Sequence, residues 1–139
     1  MYGLLDISTS GMIAQRTRLT AISANLANRS SIDPDGTPYR ARRVHFAPGD
    51  PTARTAVGRG LGVHVAEIEI DQSPFDLRYD PTHPHALKGG PQRGYVRESN
   101  VNQVVEQVNA MQATRAYEAN AVAAETTKAM IGQALRLLA

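Results

Sequence analysis

The stretch VNQVVEQVNAMQATRAYEANAVAAETTKAMIGQALRLL, residues 101–138, contains no proline. Val101, Val104, Val105, Val108, Met111, Val122, Met130, Ile131, Leu135 and Leu138 recur along it at helical spacing. Apolar residues three and four apart lie along one side of an α-helix, so the spacing predicts one long helix over 101–138. At 1.5 Å per residue such a helix measures roughly 57 Å. A compact chain of this length has a radius of gyration of roughly 14 Å, so its own globule cannot cover the helix. Part of the apolar stripe is therefore expected to meet a second helix of the chain, and the rest to meet other subunits.

A partner helix is expected near the other end. Leu5, Met12, Leu19 and Leu26 fall at successive steps of seven, with Ile22 three after Leu19, which predicts a helix over 4–28. Gly11 lowers helix propensity by about 1 kcal/mol relative to alanine, and Ser8, Thr9 and Ser10 lower it further, so this helix should be marginal alone. Asn25 and Asn28 are placed to cap its end and direct the exit of the chain. All eight prolines and eight of the eleven glycines fall between residues 32 and 96. The organisation is helix, insert, helix: 1–31, 32–96 and 97–139.

Within the insert, IDPDGTP at 32–38 holds turn formers in succession. YRARRVHF at 39–46 is a candidate strand, and the following APGDPTARTAVGRGLG reads as a flexible loop or hairpin tip. VHVAEIEI at 63–70 is the clearest strand. Its alternation changes phase between Val63/Val65 and Ile68/Ile70, which predicts a bulge near Ala66–Glu67. Phe75, Leu77 and Tyr79 outline a third strand and Tyr95–Val96 a last short one. The expected fold class is mainly α with a small β-rich insert, its long terminal helices packed as a coiled-coil-like pair.

Chemistry is sparse. The chain has no cysteine, which excludes thiolate chemistry and disulfides, and its net charge of +2 is spread without a polyanion-binding face. Aromatic residues make up 5% of the chain and there is no tryptophan, which favours thin, close-packed helices over a thick core. His83-Pro84-His85 lies near Asp80, but the proline and the lack of further ligand spacing argue against a metal site. Glu67, Glu69 and Asp71 alternate along one strand and read as a solvated face, not as an acid–base pair. Gly58, Gly60 and Gly62 precede no Lys-Ser/Thr and no expected helix, so they do not form a phosphate loop. Arg40, Arg42 and Arg43 are the one basic cluster. Without stacking aromatics they are a weak signal for nucleic acid and suit salt bridges between subunits at least as well. No catalytic, cofactor or metal constellation is expected. The sequence opens with no basic residue before Arg16 and no long apolar run, so neither a cleavable leader nor a membrane span is expected.

Four motifs carry a resemblance. SANLAN at Ser23–Asn28, PDGTPYRARRVHF at 34–46, GYVRESNVN at 94–102 and MQATRAYEANA at 111–121 stand in one order across nearly the whole chain. Together they resemble the axial proteins of the bacterial flagellum, its rod, hook and hook-associated subunits, and within that family a short proximal rod member. The resemblance implies a non-enzymatic structural subunit whose terminal helices form the inner wall of a helical rod, with the insert outside. It implies export through the flagellum's own type III channel to the periplasmic part of the basal body. The implied partners are proximal and distal rod subunits and basal-body proteins near the export gate. Asn102 stands where the family often carries an acid. The alternatives are the other short proximal rod protein, or a β-rich binding module on a helical stalk. On this reading Leu5, Met12, Leu19, Ile22 and Leu26 are expected on one side of the assembly seam, and Val101, Val104, Val108, Met111 and Val122 on the other.

Overall fold

The computed structural model describes residues 2–138; Met1 and Ala139, the outermost residues of the expected terminal segments, lie outside them. Two long helices, α1 (Tyr2–Asn28) and α3 (Gln103–Leu138), pack along one another. Between them the chain forms β1 (Arg42–Pro48), a six-residue helix α2 (Ala56–Leu61), β2 (Val63–Ile70), β3 (Asp76–Tyr79) and β4 (Tyr95–Glu98). The fold is mainly α with a small β-rich insert, as the sequence predicts.

The two helices are antiparallel. Gly11 faces Asn120, Arg18 donates to the Asn109 side chain at 3.4 Å, and Asn25 donates to Glu106 at 3.0 Å, so positions rise on α1 as they fall on α3. This register sets Tyr2 beside the region of Ala129. At 1.5 Å per residue, α3 then runs on for about 13 Å past the start of α1. Among the described residues no helix is long and apolar enough to cross a membrane.

Small residues account for the closeness of the packing. A Cβ on Gly11 would stand 2.8 Å from the Asn120 amide, so a larger residue there would have to displace that side chain from the seam. On its other flank α1 carries the insert. A Cβ on Gly3 would meet Val57 of α2 at 2.7 Å, and one on Gly58 would meet Asp6 at 2.7 Å. Ser10 gives its hydroxyl proton to the Ile7 carbonyl at 2.7 Å and accepts the Val63 backbone N–H at 3.1 Å, tying the helix to the start of β2. The Gly- and Ser-rich start of the chain, weak in intrinsic helicity, is thus a helix in contact on two sides.

Strands β1 and β2 form an antiparallel ribbon. His45 pairs with Glu67 and Phe46 with Val65, leaving Ala66 without a partner: this is the bulge announced by the change of phase. β3 and β4 form a second two-stranded ribbon, with Tyr79 and Tyr95 edge to face at 5.2 Å and Arg78 bound to Glu98 at 2.5 Å. The 32–38 turn closes through an Ile32–Pro38 bridge, with Gly36 at φ 82°.

Two expectations change. The segment 47–62 is the tip of the β1–β2 hairpin, but it is not merely loop. Thr55 caps α2 by accepting the Gly58 N–H at 3.1 Å while giving its own proton to Asp6 at 2.5 Å. Gly58 and Gly60 therefore lie inside a helix, contrary to the expectation that none begins there; a cap and contact with α1 offset their poor propensity. The long C-terminal helix begins at Gln103 instead of Val101, because Asn102 caps it by accepting the Val104 and Val105 N–H groups at 3.0 and 3.2 Å. An asparagine serves this role as well as the acid of the family pattern.

Candidate assembly surface

The seam between α1 and α3 is built mostly from small and polar residues, with Ile22 as its one large apolar member. On α3 it follows Glu106, Asn109, Ala113, Ala116, Asn120, Ala124 and Thr127, with Ala113 wholly buried. On α1 it follows Gly11, Ala14, Arg18, Ala21, Ile22 and Asn25. Alanine and glycine let the backbones approach, and the polar pairs set the register.

The predicted interface residues separate accordingly. Ile22 and Val101 are buried. Leu5, Met12, Leu19 and Leu26 are half-buried. They sit one residue on from the Gly11–Arg18–Asn25 line, a rotation of about 100° away from the seam. Val104, Val108, Met111 and Val122 are exposed. Val104 and Val122 each lie nine residues from Ala113, two and a half turns, and so point directly away from α1. They are 68% and 60% exposed. The two apolar stripes are thus not the two sides of one intrachain seam, because small and polar residues occupy that seam. The outer stripe of α3 has no cover among the described residues, and beyond it Met130, Leu135 and Leu137 continue apolar surface toward the overhanging end.

Within the SANLAN motif the structure assigns sharply different roles. Ser23 is exposed, and Asn28 at the helix end donates to the Ala24 carbonyl at 2.9 Å. Asn25 is not a cap: it lies inside α1, 1% exposed, and its amide fills its full hydrogen-bonding capacity. Its nitrogen donates to the Arg42 carbonyl at 2.9 Å and to Glu106, and its oxygen accepts the Arg42 N–H at 2.8 Å and the Tyr39 hydroxyl at 3.1 Å. One side chain thereby joins α1, the first residue of β1 and α3. Its two bonds to the Arg42 backbone hold the first residue of the strand that follows the turn against α1.

Asn100, in the link between β4 and α3, makes a similar junction. Its oxygen accepts the Ala41 N–H at 2.9 Å, and its nitrogen donates to the Asp71 carbonyl at 3.1 Å and the Ser73 hydroxyl at 2.9 Å. The sequence marks Asn25 only as a candidate cap and gives Asn100 no role of its own. The available signal was an asparagine within each motif.

Charges at the hairpin are mostly internal. Asp71 binds Arg43 at 2.6 Å, and the Ser73 backbone N–H holds the Asp71 carboxyl below the usual carboxylate range, with Arg43 adding to the effect. Arg40 lies over the Phe75 ring at 4.1 Å, and His45 contacts Glu69 at 2.8 Å. Among the described residues no group of three or more His, Asp or Glu is placed to hold a metal ion.

Comparison with known proteins agrees with this picture. Residues 5–30 match the family described as flagella basal body rod protein, and residues 92–137 the family described as flagellar basal body rod FlgEFG protein C-terminal. These segments cover most of the two packed helices. The flagellar basal-body rod protein FlgC of Borreliella burgdorferi is 42% identical, over 99% of this chain and 97% of its own. FlgC of Escherichia coli O6:H1 is 39% identical over 99% and 97%, and that of Bacillus subtilis 34% over 96% and 95%. With such identity along both helices and the insert between them, the chain belongs to the FlgC family of flagellar basal-body rod proteins.

Proposed function

We propose that the protein is a structural subunit of the flagellar rod, which polymerises through the outer faces of its terminal helices. The observation that carries this is the half-turn separation on α3 between a filled seam at Ala113 and an open apolar stripe at Val104, Val108, Met111 and Val122. A helix with apolar residues on opposite sides needs a second partner. The half-buried stripe at Leu5, Met12, Leu19 and Leu26 supplies the corresponding flank on α1. Rod assembly accounts for that surface without any catalytic step, and the relatives' names support the setting. Its partners are further rod subunits, proximal and distal, and basal-body proteins at the export-gate side. The subunit reaches the periplasmic rod through the flagellar type III channel.

The test is genetic and structural together. Deleting the gene from its own bacterium should abolish swimming and leave basal bodies without a complete rod, and returning the wild-type gene should restore both. A deletion strain that swims normally would refute the reading.

A further inference from the structure

A groove of about 350 Å³ opens where α1, β1 and the first turns of α3 meet. Its walls include the apolar side chains of Ile22, Val44 and Val105, and its rim carries Arg18, Arg42 and Arg43. Arg43 is bound to Asp71. Arg18 and Arg42 have no ion-pair partner among the described residues; Arg18 donates to the Asn109 amide, and Arg42 stands over the Tyr39 ring at 5.8 Å. The acid that lines the groove, Glu106, is engaged by Asn25. An apolar trough with a basic rim fits a helix that is apolar on one face and acidic along one edge.

Such a helix is present in the chain. On the outer side of α3, Met111 and Val122 are flanked by Glu118 and Glu125, both exposed and without an ion pair among the described residues. The two acids are seven residues apart and share an edge of the stripe, while Arg115 lies within it between Met111 and Val108, about 60–80° round the helix from them. This face cannot fold back into its own groove. Glu118 is twelve residues along the same helix from Glu106, about 18 Å away.

We infer that the groove receives the Glu118–Glu125 face of α3 from a second copy of this chain, with Arg42 and Arg18 against the two acids. This rests on the rod-subunit reading and names the surfaces it uses. Groove and acidic face are different surfaces of one subunit, so the contact is head to tail and passes from copy to copy, in a ring or a helix, instead of pairing one patch with itself in a two-fold dimer.

The test is a charge exchange in the bacterium whose swimming the wild-type gene restores. Arg42→Glu should abolish swarming while leaving the melting temperature of the purified chain unchanged. Adding Glu118→Arg or Glu125→Arg in the same gene should recover swarming, because every subunit then carries both halves of the reversed pair. Since the chain has no cysteine of its own, cells expressing Arg42→Cys and Glu118→Cys copies should give disulfide-linked pairs in isolated basal bodies, and neither copy alone should. Normal swarming with Arg42→Glu would overturn the inference. So would rescue only by a change in a different protein, or a cysteine crosslink to another basal-body component, either of which assigns the groove another occupant. Loss of the underlying reading would show separately, as a deletion strain that swims.

Discussion

α1 and α3 are both long, proline-free helices that meet in one seam, yet they spend their surfaces differently. α1 is engaged by α3 at Gly11, Arg18 and Asn25, by α2 at Gly3 and Asp6, and by β2 at Ser10. α3 meets α1 through a narrow line of mostly alanine and asparagine, and Val104, Val108, Met111 and Val122 point the opposite way. The difference separates what holds the subunit together from what the subunit offers its neighbours. On α3 side chain size marks the division: alanine stands where the helix closes on α1, and Val104, Val108, Met111 and Val122 stand where it is open.

The strongest challenge to this contrast is a charge in the seam. Ala113→Asp places an unpaired carboxylate at a wholly buried position and should cost about 4 kcal/mol or more, read as a lost or greatly lowered thermal transition. If the melt is hardly altered, the seam is not where the fold closes. Asn25→Leu comes next. It keeps the number and branching of side-chain heavy atoms but adds bulk and strands both backbone groups of Arg42 and the Glu106 carboxylate, and denaturant unfolding should record a loss of about 3 kcal/mol. A loss confined to a few tenths would mean that the junction does not join the helices to the insert. At the start of α3, Asn102→Ala should cost about 1 kcal/mol by loss of the cap, while Asn102→Asp should be close to neutral.

A smaller effect concerns the base of the hairpin. The folded Asp71 carboxyl is depressed below its ordinary value of 3.8. Its contribution is therefore present above that value and is lost as the pH falls through the lower, folded one. Melting temperatures taken from pH 6 to pH 2 should fall less in Asp71→Asn than in the wild type. Parallel curves would remove Asp71 from the account.

Much of this architecture was legible from residue patterns. Two helices, the 32–38 turn, the β2 strand and even the unpaired Ala66 follow from periodicity and its interruptions, because each depends on local geometry that a few residues dictate. The seam was not legible. Leu5–Leu26 and Val101–Val122 advertise themselves by hydrophobicity, whereas the close approach depends on Gly11, Ala14, Ala113 and Asn120, whose value lies in small volume and in pairing across about a hundred residues. α2 escaped for a related reason. Its AVGRGL has poor propensity and stands only by the Thr55 cap and the contacts of Asp6 and Gly3, which are tertiary. The roles of Asn25 and Asn100 depend on what the fold brings near them, and a motif shows only that an asparagine is there.

The central claim is that the stripe through Val122 belongs to the assembly and not to the fold. Val122→Asp decides it, measured twice on the same variant. The purified chain should melt within about 0.5 kcal/mol of wild-type stability, since the position is exposed. In the bacterium the same variant should fail to enter the rod, leaving cells non-motile. A variant that keeps its stability and still builds a working rod would contradict the account.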